Sequence, residues 1–433
     1  MANKLRIVTM ASVILNVSLG VMGSLLSSHA AEVVVFWNIH GTARGEAWQV
    51  LVDEFNQTRD DLRIVLEQPA SGTEGVNQLL VAVAAGTPPD LVYLDRGYLG
   101  QHMGTGMFEP LNAYVERAGW DMAREWFDRA IPRISMGGKL YGIPVDAFPL
   151  TYLVWNKRIF EEAGFDGDRP PATYAEMDEM AWQLTRRPEQ TGGGVLVGLD
   201  PWLGAALTHY GIWMLLWETW MWDDEAKRAS LTHPRSLELA EWHVKHAQRL
   251  QGIHPGSWSG DPFVSERLAM RIVTTTQITN MEHQGVSFEW GMGTMPLLPW
   301  QERPSLYVAG EGMAILSGSR RKEQAWEVME WLLREENAVR FALQTGIPPA
   351  RISTLREYAA RVETEREREM LDLLLRAQLV AVPNWPVGYG ILNTETFPAI
   401  RNLQRDPRSA LADAEEVLQG IIDDHIRMHG PWW

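Results

Sequence analysis

Three aspartates stand where an apolar run meets a polar loop: Asp95 closing LVYLD, Asp146 within IPVDAF, and Asp200 opening Asp200-Pro201-Trp202. Carboxylates so placed accept hydrogen bonds from hydroxyls, and a pair facing one cleft would also suit glycoside hydrolysis. The other groups an enzyme would need are missing or misplaced. Gly256-Ser-Trp-Ser-Gly260 has the outline of a nucleophile elbow, but Trp258 holds the serine position. His243 and His246 lie three apart on one helix without the glutamate or the spacing of a zinc protease motif. Cysteine is absent, which removes thiol chemistry and cysteine metal sites. Twenty tryptophans are the other outlier. Most must fill cores, since indole buries so much area. The excess still favours sugar rings as ligands, because flat patches of C–H pack on indole while hydroxyls seek Asp, Asn, Glu and Arg at the ring edge.

The elements that position these groups are legible in the pattern. Glu32–Trp37, Leu62–Leu66 and Leu91–Leu94 are short, apolar, β-branched runs predicted as buried strands. Between them, Gly45–Asn56 carries Trp48, Leu51, Val52 and Phe55 at helical spacing, and Val76–Ala85 is a second helix. Strand, helix, strand, helix, strand is the pattern of a doubly wound sheet, where ligands sit beyond the carboxyl ends of the strands. Those ends here are Trp37-Asn38-Ile39-His40 and Asp95-Arg96. Leu150–Trp155 opens a second set: a helix Asn156–Ala163 stopped by Gly164, a Thr173-x-x-Glu176 capping box, and a strand Val195–Leu199 ahead of Asp200. A tryptophan-rich helix and Pro234–Leu250 follow, then strands Ala269–Thr274, Gly291–Met295 and Gly312–Leu316. Trp213, Trp217 and Trp220 fall on one helix face and read as core. From Arg320 onward the chain is mainly helical.

Composition bounds the rest. Lys4 and Arg6, an apolar run from Ile7 to Leu26, and SSHAAE make a secretory signal with cleavage after Ala30. Losing it takes the formal charge from −16 to −18, which argues against nucleic acid and anionic lipid as partners. Without cysteine there is neither a disulfide framework nor a site for a lipid anchor at the mature N-terminus, so a freely soluble periplasmic protein is expected. About 400 mature residues exceed what one core holds and imply two lobes.

Four stretches, AAGTPPDLVYLD, GGKLYGIPVDAFPLTYLVWNK, GEGMAILSGSRRKEQAWEVMEWLL and TGIPPARIS, occur in this order with family-like separations. Together they resemble the extracellular solute-binding proteins of ABC importers, in the sugar-binding group that includes maltose- and glycerol-phosphate-binding proteins. The resemblance runs from about Val33 to the C-terminal helix. It implies a two-lobed α/β fold, each lobe a doubly wound sheet with helices on both faces. Three hinge crossings are implied near Pro144–Asp146, Gly291–Thr294 and Ile315–Ser319. The implied division is a signal peptide over 1–30, a first lobe of 31–145 with 293–318, and a second of 146–292 with 319–433. Such a protein binds and does not transform its ligand: it is a monomer without cofactor or metal that delivers a sugar or polyol to inner-membrane permease subunits driven by a separate ATPase.

Site residues follow from the resemblance where local motifs match. Trp37, Asn38 and His40 occupy the loop after the first strand, Asp95 and Arg96 the acidic-basic pair, and Asp146 the place of a cleft carboxylate. Asp200 and Trp202 resemble an acidic-x-aromatic triplet that bonds and stacks. Gly310 and Glu311 precede a cleft strand, Arg351 in PPAR suits an oxygen-rich group, and Trp385 and Tyr389 would add aromatic faces. Asp95 could equally be a helix N-cap, and Arg351 could pair with a surface acid. Thr274-Thr275-Thr276 stands where the maltose type carries a stacking tryptophan. An anionic ligand, such as a glycerophosphodiester or a phosphorylated or sulfonated sugar, is the alternative through Arg96, Arg351 and His40. A periplasmic glycoside hydrolase is the remote one.

Overall fold

A computed structural model describes residues 31–433 apart from 128–129, 132–133, 192–193, 204–209, 224, 255–257, 382–389 and 431–433. The expected signal segment, Trp385 and Tyr389 therefore lie outside the described residues.

The first sheet is five-stranded. Glu32–Asn38 runs parallel to Leu62–Glu67 on one side and to Leu91–Asp95 on the other. Helices Thr42–Thr58 and Gly72–Ala84 make the crossovers. These are the elements read from the sequence, each displaced by at most a few residues. Alternation places Val34, Phe36 and Asn38 inward, and Trp48 packs edge-on to Phe36 and Tyr93. The sheet is then completed by chain from far away. Glu311–Ile315 pairs antiparallel with Leu91–Asp95, and Ile143–Pro144 pairs antiparallel beyond it. The lobe is thus a mixed sheet, not a purely parallel one.

Phe148–Pro149, Ser305–Ala309 and Gln378–Val380 form a small three-stranded sheet at the crossing. The second lobe has four strands in the order Trp290–Gly293, Tyr152–Asn156, Leu268–Val273, Val197–Leu199. Asn156 caps helix Lys157–Glu162 through the Ile159 amide, and Thr173 caps Tyr174–Leu184 through the Glu176 amide. Of the expected capping box only this half forms, since Glu176 accepts from the Ala172 amide instead. Trp213 and Trp217 are buried around Trp242, although their helix ends at Leu216. Pro234–Leu250 and Pro407–His429 are the long helices on this core. Among the described residues no helix is long and apolar enough to cross a membrane.

Two expected crossings are corrected. Trp290–Gly293 stays in the second sheet, and the chain passes to the first lobe at Ala309–Gly310, where Ser305–Ala309 hands over to Glu311–Ile315. It does not return at Ile315–Ser319. Helix Lys322–Leu332 turns Trp326 against Tyr114 and Trp120, and helix Glu335–Thr345 stacks Phe341 on Trp48 at 4.0 Å. Their apolar faces find the first lobe's core, and helix Ile352–Arg361 packs on Glu335–Thr345, so these helices, expected in the second lobe, stay with the first. Thr364 then caps Glu365–Arg376, which docks on the second sheet through Tyr152 Oη–H to the Met370 carbonyl at 3.0 Å and Arg366 over Trp290 at 3.9 Å.

Gly198 lies where the second sheet meets helix Tyr174–Leu184, and a Cβ there would sit 1.9 Å from the Ala181 carbonyl oxygen. Backbone cannot yield as a side chain can, so Gly198→Ala is expected to destabilise by about 1–3 kcal/mol in denaturant unfolding. Gly420→Ala, in a helix with nothing within 4 Å of the added carbon, should instead gain about 0.5–1 kcal/mol.

Candidate ligand-binding site

The carboxyl ends of Glu32–Asn38 and Leu91–Asp95 meet the two crossing segments at one cluster. Asp146 is its centre and is 1% exposed. Its Oδ2 accepts from Tyr93 Oη–H at 2.5 Å, and its Oδ1 accepts from the Glu311 amide at 2.9 Å. Arg96, also 1% exposed, donates to the Asp146 carbonyl oxygen at 3.1 Å. Glu311 Oε1 binds Arg44 Nη1 at 2.6 Å and lies 3.3 Å from His40 Nε2. Asn38 closes a tight turn, donating to the His40 carbonyl at 2.6 Å and accepting its amide at 3.2 Å. That turn sets the imidazole edge-on to Tyr93.

Burial governs the charges. It pushes Asp146 up to about 7, reinforced by the Glu311 charge and partly opposed by Arg44. Burial and the Arg44 guanidinium hold His40 down at about 4, so the imidazole is neutral. Burial also raises Tyr93, keeping its hydroxyl a donor. Asp95 takes the role of helix N-cap, accepting from the Gly97 amide at 2.6 Å, and pairs in register with Glu311. Gly310 is required by close approach: a Cβ would lie 2.3 Å from the Asp146 carbonyl oxygen and 2.5 Å from Arg96 Nη2.

A second cluster closes the far lobe. Val197–Leu199 runs parallel to Leu268–Val273, whose end pairs with Tyr152 next to the crossing sheet, so Asp200 and Trp202 emerge on the crossing side. Asp200 is engaged by its own lobe. It accepts from the Trp202 amide at 3.0 Å, His254 Nε2 at 2.8 Å and Trp258 Nε1 at 2.9 Å. Burial pushes this carboxyl up, but the bonds from His254 and Trp258 outweigh it and hold it below the usual range. Trp202 donates its indole N–H to His243 Nδ1 at 3.1 Å, and burial keeps His243 neutral enough to accept. His246 points elsewhere, onto Asp178 at 2.9 Å. Asp200, Trp202, His254, Trp258 and Arg401 line a cavity of about 610 Å³. Arg401 lies 5.9 Å over the Trp202 ring and has no salt bridge among the described residues.

The structure thus gathers Asn38, His40, Asp95, Arg96, Asp146, Gly310 and Glu311 at the crossing, and holds Asp200 with Trp202 in a separate cluster of the second lobe. Trp37 bonds Glu67 on the neighbouring strand at 2.6 Å. Arg351 pairs with Glu125 and stacks over Trp126 and Trp120, the surface-acid alternative noted from the sequence. Sequence reasoning missed Arg44, Tyr93, His254 and Arg401. Arg44 and Tyr93 carried a usable signal, since each lies within a turn of a strand's carboxyl end. His254 and Arg401 are joined to the site only by tertiary packing. Among the described residues no group of three or more His, Asp or Glu is arranged to hold a metal ion.

The family model of bacterial extracellular solute-binding proteins matches residues 50–363. Binding proteins of Brucella abortus are 22% identical over 285 residues, and the chain spans 65% of their length, using 63% of its own. The sn-glycerol-3-phosphate-binding periplasmic protein UgpB of Rhizobium meliloti is 21% identical over 419 residues, 91% of this chain and 94% of that one. Among solved structures, the sugar-binding protein MalE from Xanthomonas citri superposes with a TM-score of 0.75 at 20% identity, covering 92% of this chain and 98% of that one. At that identity the likeness establishes the fold.

Asp146 should make stability depend on pH in a way an asparagine cannot. Between about pH 4 and about pH 7 the folded protein keeps a proton that the unfolded chain has released, so its stability falls as pH rises and levels off above. The depressed histidines give the opposite slope, but they are common to both proteins. The advantage of wild type over Asp146→Asn should therefore shrink by roughly 2–4 kcal/mol across that window, read from paired denaturant titrations.

Proposed function

Because the chain belongs to the family of bacterial extracellular solute-binding proteins, we propose that it is a periplasmic receptor that takes a sugar or sugar-like polyol between its lobes. It then presents the solute to the permease subunits of an importer whose ATPase is a separate chain. It acts as a monomer after loss of its signal segment and leaves the solute chemically intact.

One observation carries this reading. Strand ends of both lobes open toward the crossing: Asn38 and Asp95 end parallel strands of the first sheet, and Asp200-Pro201-Trp202 follows Val197–Leu199 at the end of the second sheet where Val273 pairs with Tyr152. A solute there touches both lobes at once. Its contacts exist in full only when the lobes approach, and that differential affinity shifts the population toward closure about Val145–Ala147, Ala309–Gly310 and Val362–Thr364. Trp202 and Trp258 offer indole to the C–H faces of a ring, while His40 and the cleft-edge carboxylate Asp95 offer bonds to hydroxyls. A neutral ligand fits the first lobe better than an anion, because Arg44 is already neutralised by Glu311 and Arg96 is turned onto the Asp146 carbonyl. Arg401 is the observation that favours the second reading, an anionic solute, since it borders the cavity without an acid partner among the described residues.

Thermal unfolding against a solute panel tests this. Neutral mono- and oligosaccharides, polyols, glycerophosphodiesters and sulfonated sugars form its arms. A bound solute at 1,000 times its Kd adds about 4 kcal/mol, which raises Tm by several degrees. A neutral sugar is expected to do so and to be recovered unchanged. A shift confined to the anions, abolished by Arg401→Gln, would replace it with the second reading. Turnover of any panel member would end the receptor reading.

A further inference from the structure

The crossing holds two carboxyl groups in a space that supplies donors for only part of them. Asp146 has both oxygens engaged, by the Tyr93 hydroxyl and the Glu311 amide. Glu311 Oε1 is satisfied by Arg44, but its Oε2 is buried with no donor, and its side chain is only 8% exposed. Glu311 donates its own amide to Asp146 Oδ1 at 2.9 Å, which brings its side chain beside the Asp146 carboxyl, and, beyond burial, the Glu311 carboxyl raises Asp146 through its charge and a hydrogen bond. A buried carboxylate oxygen without a donor is costly, and two adjacent ionised carboxylates more so.

We propose that Asp146 and Glu311 hold a single proton between them, and that release of this proton favours opening of the lobes. The proton sits on Asp146 and is donated to Glu311 Oε2, which gives that oxygen its missing partner and cancels one of the two negative charges. The other groups facing the pair do not remove the need for it. Tyr93, from the third strand, is neutral and a donor. His40, from the loop after the first strand, is neutral at any pH above about 4. Arg44, from the first helix, balances one carboxylate. Arg96, from the following helix, donates to the Asp146 carbonyl oxygen at 3.1 Å. Asp95 adds a further negative charge from the strand paired with Glu311. The stretch Ile347–Ala350 contributes only backbone, Pro348 accepting from the Ala147 amide at 2.8 Å.

The position gives the proton its leverage. Asp146 lies on the first crossing and Glu311 directly after the second, so a carboxyl-to-carboxyl bond ties two of the three hinge strands together. When the proton leaves for solvent, the bond becomes a repulsion and water is drawn between the strands. The pH range in which this happens is near neutrality, consistent with the elevated Asp146. That lobe opening matters to solute capture rests on the receptor reading above; the shared proton itself does not.

Infrared spectroscopy of the purified, solute-free protein tests it, titrated from about pH 5 to about pH 9 while following the C=O stretch of protonated carboxyls. X-ray scattering on the same samples reads the radius of gyration. One buried protonated carboxyl should disappear in a one-proton step near neutrality, with the radius of gyration increasing in the same step. In Glu311→Gln the amide donates permanently to Asp146, so the step should move down by at least about two pH units and the change in radius near neutrality should vanish. Asp146→Asn, which donates its own amide to Glu311, should lose both as well and stands in if the first variant does not fold. No carboxyl titrating in this range in the wild type would overturn the proposal, as would a step with unchanged midpoint in the variants, or a titration without change in radius. Neither readout uses a solute, so its failure leaves the receptor reading untouched, and a protein that binds nothing on the panel leaves the proton result standing.

Discussion

Everything at the crossing depends on one antiparallel strand. Glu311–Ile315 arrives from the far end of the chain and inserts between Leu91–Asp95 and Ile143–Pro144. Without it the first sheet would stop at its third parallel strand, and Asp146 would have neither the Glu311 amide nor a wall. Insertion has a steric condition, met by Gly310, and an electrostatic one. Two carboxylates brought out of water need partners, because the desolvation penalty of buried charge is several kcal/mol per ion. Arg44, the Tyr93 hydroxyl and the Glu311 amide supply three of them from different elements. The hinge is therefore specified by chain segments more than 200 residues apart in sequence, as Arg44 to Glu311 shows.

The tryptophans divide between two jobs. Trp48, Trp126, Trp155, Trp213 and Trp242 are buried and fix how helices pack on sheets. Trp126 donates to the Pro144 carbonyl at 2.9 Å and so braces the first crossing from beneath. Trp202 and Trp258 are only partly buried and border the cavity, each tied by its N–H, to His243 and to Asp200. An indole whose N–H is already bonded keeps its faces in a fixed plane, which is what a stacking surface requires. Asp200 then acts through orientation, holding His254, Trp258 and the Trp202 backbone together.

The local elements were legible in the sequence because local physics sets them. Short apolar, β-branched runs at 32–37, 62–66 and 91–94 and helical spacing at 45–56 need only neighbours to declare themselves, and Pro234–Leu250 is the helix the sequence predicts. Crossings were not legible in the same way. Whether the chain leaves the first lobe after Ile315 depends on Trp326 meeting Tyr114 and Phe341 meeting Trp48, contacts that no window of sequence contains. The candidate site was half legible for the same reason. Strand ends pointed to His40, Asp95 and Asp200, while His254 and Arg401 join them only through tertiary packing. Asp95 also shows that one position can satisfy two readings, since a helix N-cap at a strand end still borders the crossing.

The two clusters differ in how much bonding capacity they leave for a solute. At the crossing, Asp146, Arg96, Arg44 and Glu311 are bonded to one another and to Tyr93, and all four are largely shielded from solvent. Replacing such a bond with one to a sugar hydroxyl would exchange like for like and leave a buried partner unsatisfied, a loss of about 1–3 kcal/mol for each group abandoned. The crossing cluster is thus better built to hold the hinge strands than to grip a ligand. Groups at its margin, His40 and Asp95, and the partly buried indoles of the second lobe can take on contacts without breaking old ones. On the proposed receptor reading, affinity then comes from the margin and the indoles, while the buried carboxyl pair decides how readily the lobes come together to use them.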